Sequence, residues 1–227
     1  MSPTKILELA CFNLDSVLIA ERAGADRIEL CENYKEGGTT PSKNLILAAR
    51  KACTLPLHVL VRPRGGNFVY SADELEQMKT AILFCKQNGI NGVVLGVLDQ
   101  KNEVNLNACR ELIGIARPMS LTFHRAIDEC ADLKRSFADL LVLGLDRVLS
   151  SGGTDQASKG AARLAELQTA YGKKIKIIAG GGLRSGNMAQ LLATGCAEFH
   201  SSAITANNEL ADEAEIQKLK SLLNDAP

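Results

Sequence analysis

Short apolar runs rich in β-branched residues recur along the chain and predict eight β-strands. The predicted strands are residues 6–11, 27–31, 57–62, 92–98, 121–125, 147–150, 175–180 and 198–201. Two of these runs, at residues 57–61 and 175–179, are almost uninterrupted hydrophobic segments. Such segments are typical of parallel strands that are covered on both faces.

Most intervals between these runs show the spacing of apolar residues that an amphipathic helix requires. The motif Ser71-Ala-Asp-Glu predicts a capping box at the start of a long helix that continues to Lys86. The other predicted helices cover residues 17–23, 45–53, 106–116, 133–143, 157–170, 187–193 and 209–223. Eight strand–helix units fit a compact barrel better than a doubly wound sheet, which usually has about five or six strands. The sequence therefore predicts an α/β fold, a single-domain (β/α)8 TIM barrel over residues 1–227.

The charge balance and composition exclude several classes of function. The chain has 26 Lys and Arg against 26 Asp and Glu, and only 4% of its residues are aromatic. Such a chain is not predicted to bind nucleic acid, which requires basic surfaces and often aromatic stacking. No apolar run approaches the roughly 20 residues of a membrane span, and no secretory signal is visible. We therefore expect a cytoplasmic protein with reduced cysteines, no membrane partner and no organic cofactor.

Ionisable side chains lie in or just after the predicted strands, and a (β/α)8 barrel places its active site where strands end. The catalytic candidates are Glu8, Glu29, Arg62, Arg64, His124 and His200. Glutamates, arginines and histidines that converge from several strands can supply general acid–base groups and stabilise an anion. The alternative is a satisfied polar layer in which Arg62 and Arg64 neutralise the two glutamates inside the barrel. His58, early in strand 3, is interpreted as structural.

The loops after strands 6, 7 and 8 are predicted to bind a small anion. Gly181 and Gly182 follow strand 7, where many barrels hold phosphate through backbone N–H groups and a helix N-terminus. Ser185 lies in the first turn after these glycines. The other predicted ligand-binding residues are Arg125, Asp128, Ser151 and Ser201. The alternative is that the glycines only permit a tight turn.

Two of the seven cysteines, Cys11 and Cys31, end the first two predicted strands. Thiolates on neighbouring strands are suited to Cu(I), which prefers sulfur ligands. The alternation of side chains raises a difficulty, because Cys31 shares a face with Glu29 whereas Cys11 lies on the face opposite to Glu8. The alternative is that both cysteines are small buried hydrophobic residues.

Six motifs together resemble the CutC family of copper homeostasis proteins. They are RPRGGNFVYS at 62–71, TFHRA at 122–126, GGTTPS at 37–42, ADRIELC at 25–31, RVLSSGG at 147–153 and EFHSSA at 198–203. The resemblance implies a cytosolic (β/α)8 barrel, a homodimer, and Cu(I) binding by Cys11 and Cys31. Two departures are visible. Asn67 stands where the family usually has Asp, and the segment after Ala203 lacks the family's longer insertion.

Copper binding by two cysteines leaves the arginines, histidines and glycines at the same barrel mouth unexplained. Two functions therefore remain open at this point. The first is a Cu(I)-binding protein of copper homeostasis, and the second is an enzyme that acts on a small anionic or phosphorylated metabolite. A third alternative, a catalytically inactive interaction scaffold, leaves the ionisable residues at the mouth without a purpose.

Overall fold

Eight parallel strands form a closed barrel in the order β1 to β8, which confirms the predicted (β/α)8 fold. The computed structural model describes residues 4–206 and 208–226. The strands are β1 (Ile6–Cys11), β2 (Arg27–Leu30), β3 (Leu57–Leu60), β4 (Gly92–Leu95), β5 (Ser120–Phe123), β6 (Arg147–Ser150), β7 (Lys176–Gly180) and β8 (Glu198–Ser201). β1 pairs with β8 as well as with β2, so that the sheet has no free edge.

An α-helix follows each strand and packs on the outside of the barrel. The helices are α1 (Leu14–Arg22), α2 (Lys43–Ala52), α3 (Ala72–Gln87), α4 (Leu106–Ala116), α5 (Leu133–Leu143), α6 (Ala161–Tyr171), α7 (Met188–Leu192) and α8 (Glu213–Asp225). The Ser71 side chain accepts from the Glu74 N–H while Glu74 accepts from the Ser71 N–H, so the predicted capping box is present. None of the helices described is long and apolar enough to cross a membrane.

Several elements end or begin at other residues than the hydrophobic pattern predicts. β3 ends at Leu60 and β5 ends at Phe123, so Arg62 and His124 lie in loops beyond their strands. The His124 ring accepts from the Ala126 N–H and so begins a short 3-10 turn instead of continuing the strand. The last helix begins at Glu213, because the Asp212 side chain caps its first turn. The short segment after Ala203 includes residue 207, which lies outside the described residues.

The strand side chains that face the helices are apolar, whereas those that face the barrel axis include charged groups. Arg27 of β2 donates to Glu8 of β1, and its Nη2 lies 2.5 Å from the Glu198 Oε2 of β8. Arg147 donates to the same Glu198 carboxylate at 3.0 Å and to the Ser120 hydroxyl at 2.6 Å. All three side chains of the Arg27 pairings are buried. This network fills the end of the barrel below the mouth.

The network corrects the predicted pairing of the inner glutamates. Glu8 is neutralised by Arg27, which is its register partner on the neighbouring strand, and not by Arg62 or Arg64. Arg62 and Arg64 lie beyond the end of β3, and among the described residues neither forms an ion pair with Glu8 or Glu29. The interior polar layer that the alternative interpretation proposed is therefore real, but its cation is a different arginine.

We expect Arg27→Met to destabilise the fold at pH 7, because it leaves Glu8 and Glu198 buried without their shared cation. Removing one partner from a buried ion pair typically costs about 3–5 kcal/mol. Arg22→Met is the matched control, since the Arg22–Glu213 pair is largely exposed and solvent-screened pairs of this kind contribute little to stability. Urea unfolding measures both free energies. Equal losses in the two variants would contradict a structural role for the interior network.

Candidate functional site

A cavity of about 290 Å³ opens at the mouth of the barrel, where the strands end and the loops to the helices begin. It is lined by nine residues that the sequence predicts as site residues. They are Glu29, Cys31, Arg62, His124, Arg125, Gly181, Gly182, His200 and Ser201. Phe12, Phe68, Arg184 and Ser202 also line this mouth cavity and were not predicted. Loops from the N-terminal and C-terminal parts of the chain meet here. They form a polar site in which Phe12 and Phe68 provide apolar surface.

His200 lies between two carboxylates at the floor of the mouth cavity. Its Nδ1 is 2.8 Å from Glu8 Oε1, and its Nε2 is 3.5 Å from Glu29 Oε2. Burial opposes the charged imidazolium, but Glu29 and Glu8 together raise the pKa of His200 above its usual value. The two carboxylates therefore favour the protonated ring, which can donate toward both of them.

The two glutamates beside His200 differ in their acidity. Burial would raise the pKa of Glu8, but Arg27, His200 and His58 hold it well below its usual range. Burial raises the pKa of Glu29 to about 7, and this pKa remains raised although the charge of His200 opposes the shift. Glu29 lines the mouth cavity, whereas Glu8 lies beneath it. Glu29 is therefore the carboxyl that can take up and release a proton at neutral pH.

Arg62 brings a buried positive charge to the wall of the mouth cavity. Its Nη1 donates to the carbonyls of Glu36 and Gly38, its Nη2 donates to the Gly66 carbonyl, and Phe68 stacks on its guanidinium at 4.9 Å. No carboxylate of the described residues lies within ion-pair distance of Arg62. Its side chain is therefore positioned by neutral acceptors, and its charge is not neutralised by the protein.

His124 occupies the same wall of the mouth cavity as a neutral ring. Its Nδ1 accepts from the Ala126 N–H at 3.1 Å, which places the ring proton on Nε2. Burial and the Arg62 charge lower the pKa of His124 to about 3. Gly96 makes room for the ring, because a Cβ at that position would lie 2.5 Å from the His124 Cε1. His124 is therefore uncharged at neutral pH, and its Nε2 has no hydrogen-bond partner among the described residues.

The loops after β7 and β8 close the opposite side of the mouth cavity. Gly181 and Gly182 have φ angles of +118° and +71°, which favour glycine. Among the described residues, the backbone N–H groups of Gly182 and Ser202 donate to no acceptor. The side chain of Ser201 donates to the Leu183 carbonyl at 2.7 Å. Gly182 and Ser202 both line the mouth cavity.

The predicted helix N-terminus after Gly182 does not contribute to the anion site. The Ser185 N–H and hydroxyl donate to the Glu215 carboxylate of α8 at 2.6 and 2.8 Å. The segment is a short 3-10 turn followed by the five-residue helix α7. The buried Glu215 therefore occupies the position that the sequence interpretation assigned to a ligand.

Arg184 is a site residue that the sequence analysis missed. Its guanidinium donates to the hydroxyls of Ser201 and Ser202 at 3.2 and 3.1 Å and to the Ile204 carbonyl at 2.8 Å. It therefore links the loop after β7 to the loop after β8 at the edge of the mouth cavity. Its position two residues after the glycine pair is a signal that could have identified it.

Three predicted site residues, Arg64, Asp128 and Ser151, stabilise the loops around the mouth cavity and do not line it. Each of the five N–H groups of Arg64 meets an acceptor within the β3–α3 segment, including Glu74 at 2.6 Å. Asn67, the departure from the family pattern, supplies two of these acceptors.

Asp128 accepts from Ser151 and from Arg125 Nε, which orients Arg125 toward the cavity.

Cys11 and Cys31 lie on opposite faces of the barrel wall. Cys11 packs in the hydrophobic core between strands and helices, whereas Cys31 lines the mouth cavity and packs against Leu60. Burial raises the pKa of both thiols well above their usual range, so neither is a thiolate at neutral pH. In this arrangement the two sulfurs do not fit one Cu(I) ion.

The described residues bring together one group with the spacing of metal ligands, formed by Glu8, Glu29 and His200. Carboxylate oxygens and an imidazole lack the soft sulfur that Cu(I) prefers. Glu8 is also already bound to Arg27. This group is therefore better suited to hold protons than copper.

Comparison with known proteins assigns the chain to a family. A family model described as the CutC family matches residues 5–205. The chain belongs to the CutC family. A CutC family protein of Chromobacterium violaceum is 43% identical over 200 residues, which cover 88% of this chain and 81% of that protein. A second, from Klebsiella pneumoniae, is 42% identical over 87% of this chain and 80% of its own length.

Solved structures agree with this assignment. A Streptococcus agalactiae protein that carries the name copper homeostasis protein CutC superimposes with a TM-score of 0.83 at 30% identity. The alignment covers 88% of this chain and 99% of that one. A thiamine phosphate pyrophosphorylase from Pyrococcus furiosus has a TM-score of 0.65 at 17% identity over 97% and 96% of the two chains, and it shares the fold alone.

We expect Glu29→Gln to gain stability relative to wild type as the pH rises from about 4.5 to about 7. In this interval the folded wild type keeps the Glu29 proton that the unfolded chain has lost, so wild-type stability falls with rising pH. His200, whose pKa is also raised, lowers wild-type stability in the same direction as the pH rises from about 6.5. Urea unfolding across the pH range measures the difference.

The control for this experiment is Glu166→Gln on α6, which removes an exposed carboxylate. It corrects for the loss of one negative charge. A stability difference between wild type and Glu29→Gln that does not change with pH would show that Glu29 does not have a raised pKa.

Proposed function

We propose that this CutC family chain is an enzyme that moves protons on a small anionic metabolite bound in the mouth cavity. The unneutralised charge of Arg62 is the observation that carries the proposal. Copper homeostasis, which the family name implies, is a separate prediction. We expect the protein to act in the cytoplasm as a homodimer, as the resemblance implies.

An anionic ligand would supply the counterion that the protein itself does not provide for Arg62. The Arg62 side chain is only 7% exposed, and no carboxylate of the described chain pairs with it. A buried charge without a counterion is costly, so such groups are usually paired. Arg125 and Arg184 line the same cavity, where Arg125 is paired with Asp128. Gly182 and Ser202 also line it, and their backbone N–H groups have no acceptor among the described residues. An anion in the cavity would give Arg62 the counterion that it lacks.

The floor of the cavity would supply the chemistry. Glu29 has a pKa of about 7, close to the pH at which an acid–base group works best. His200 lies between Glu29 and Glu8 and would pass a proton between them. The cavity volume of about 290 Å³ lies at the lower end of ligand sites, roughly 300 Å³ and above. The substrate is therefore small.

We expect millimolar inorganic phosphate to raise the melting temperature of the wild type above its value in chloride at equal ionic strength. A ligand that binds only the folded state must stabilise it. Arg62→Gln should lose most of this increase, because it removes the buried cation. Differential scanning fluorimetry measures the increase for each variant against its own value in chloride, which separates binding from folding.

Arg110→Gln on α4 removes the same charge from an exposed position away from the cavity and should keep the full increase. Arg125→Gln is a second cavity variant if Arg62→Gln does not fold. If phosphate, sulfate and small carboxylates all leave the wild-type melting temperature unchanged, the cavity is not an anion site. Equal losses in Arg62→Gln and Arg110→Gln would place the anion elsewhere.

Cu(I) binding by Cys11 and Cys31 stays a prediction of the family resemblance. One ion held by both sulfurs requires one cysteine to move across the barrel wall. If the pair binds copper, Cys11→Ser and Cys31→Ser should each remove one equivalent in a competition titration under reducing conditions. Cys85→Ser, at a buried position of α3, is the control and should remove none. Binding that survives the double substitution would place copper at other residues.

A further inference from the structure

We infer that the substrate carries an aromatic ring close to its anionic group, and that Phe12 and Tyr34 bind this ring at one side of the mouth cavity. The inference rests on the proposed function and names the class of its substrate. It is carried by the distribution of aromatic and charged side chains around the mouth.

Aromatic residues are concentrated at the mouth cavity, although they are rare in the chain. The sequence has six Phe, three Tyr and no Trp. Three of these nine residues, Phe12, Tyr34 and Phe68, line the cavity. They follow β1, β2 and β3 respectively, which are adjacent strands of the barrel. Together they form one side of the mouth, which we call the aromatic side.

The other side of the mouth carries cationic and glycine-rich segments. Arg125 follows β5, and Gly181, Gly182 and Arg184 follow β7. In a closed barrel of eight strands in sequential order, β5 to β7 lie across the axis from β1 to β3. The cavity is therefore complementary to a ligand that has an anionic group and an apolar ring.

Arg62 brings a positive charge to the aromatic side itself. It follows β3, and its guanidinium lies 4.9 Å from the centre of the Phe68 ring. Phe68 also contacts the His124 ring at 4.8 Å, so the protein already occupies the Phe68 ring. Phe12 and Tyr34 are therefore the rings that remain for a ligand. A ligand that contacts both them and Arg62 has its anionic group close to its ring.

Phe12 and Tyr34 form an edge-to-face pair. Their ring centroids are 5.0 Å apart, and the ring planes are inclined by 75°. Such a pair offers the face of one ring and the edge of the other, and a third ring packs favourably in both arrangements. Tyr34 is 36% exposed, and its hydroxyl has no hydrogen-bond partner among the described residues. Exposed apolar surface of this kind beside a cavity is typical of a ligand contact.

The protein holds this aromatic pair in place. Phe12 packs on Cys31 and Leu60, which belong to a small apolar cluster separate from the main core. Gly38 has a φ of +93°, and a Cβ there would lie 2.9 Å from Leu60 Cδ2 and 3.6 Å from Phe12 Cε1. The loop that carries Tyr34 can approach Phe12 because position 38 is glycine. The rings are therefore preorganised, which lowers the cost of binding a ligand.

The surroundings of the pair favour an aromatic ring over a sugar. A sugar ring also packs on aromatic side chains, but its hydroxyls require hydrogen-bond partners. Cys31 and Leu60 beside the pair are apolar. Glu29 lies toward His200 at the floor, and Arg62 is held by backbone carbonyls. The ligand class is therefore a small aryl anion, such as a phosphate ester or a carboxylate of a benzene ring.

The experiment compares three phosphate monoesters that differ only in the group on the ester oxygen. Methyl phosphate has no ring, cyclohexyl phosphate has a saturated ring, and phenyl phosphate has an aromatic ring. Acetate, cyclohexanecarboxylate and benzoate repeat the comparison with a carboxylate and show which anionic group the cavity prefers. Isothermal titration calorimetry measures each dissociation constant for wild type, Tyr34→Leu and Tyr34→Phe.

We expect the wild type to bind phenyl phosphate about 10- to 100-fold more tightly than methyl phosphate, the effect of removing an aromatic ring from water. Phenyl phosphate should also exceed cyclohexyl phosphate by about two- to tenfold, because only the aromatic ring packs edge to face with the pair. Tyr34→Leu should remove the preference for phenyl over cyclohexyl without changing the affinity for methyl phosphate. Tyr34→Phe retains the ring and should retain the preference.

Tyr171→Leu is the matched control, because Tyr171 packs on Phe137 and does not line the cavity. It should leave all the dissociation constants unchanged. Phe12→Leu tests the second ring of the pair and should also weaken phenyl phosphate more than methyl phosphate.

The outcomes separate this inference from the proposed function. If methyl phosphate or acetate binds and neither ring increases the affinity, the aromatic substrate is wrong and the anion site stands. Tighter binding of the cyclohexyl than of the phenyl probes, or equal weakening of all probes by Tyr34→Leu, also contradicts the aromatic contact. If no probe of either series binds, the proposed anionic substrate is wrong as well.

Discussion

The contact between Arg27 and the two carboxylates of Glu8 and Glu198 sets the charge state of the whole barrel interior. Arg27 keeps Glu8 ionised, and ionised Glu8 in turn raises the pKa of His200. Glu29 lies between His200 and the cavity, and burial raises its pKa to about 7. The acid–base character of the mouth therefore depends on an arginine that the cavity does not contact.

Two arginines that are neighbours in the sequence have opposite roles because of what surrounds them. Arg64 meets acceptors with all five of its N–H groups and stabilises the loop that leads to α3. Arg62 is held by backbone carbonyls and faces the cavity with its charge unpaired. Buried neutral acceptors fix a guanidinium without cancelling its charge, which leaves that charge available to a ligand.

Sequence reasoning alone determined the fold and most of the residues at the mouth. Continuous hydrophobic runs alternating with helical periods are local properties of the chain, and eight repeats leave room for few architectures other than a closed barrel. Because parallel strands in a barrel all end at the same rim, residues after the strands must converge. That rule predicts that Glu29, His124 and His200 lie together at the mouth.

The tertiary structure alone decided which charges are neutralised and which are not. Arg27 meets Glu198 across a sequence separation of 171 residues, and Glu215 reaches Ser185 from the last helix. Neither contact leaves a local signal, because both depend on how the barrel closes and how α8 packs. Side-chain alternation along the strands indicated that Cys11 and Cys31 do not share a face. Only the closed barrel shows that Cys11 packs in the core outside the strands and that Cys31 lines the mouth cavity. Pairing, burial and acidity are properties of the surroundings, and the surroundings exist only in the folded chain.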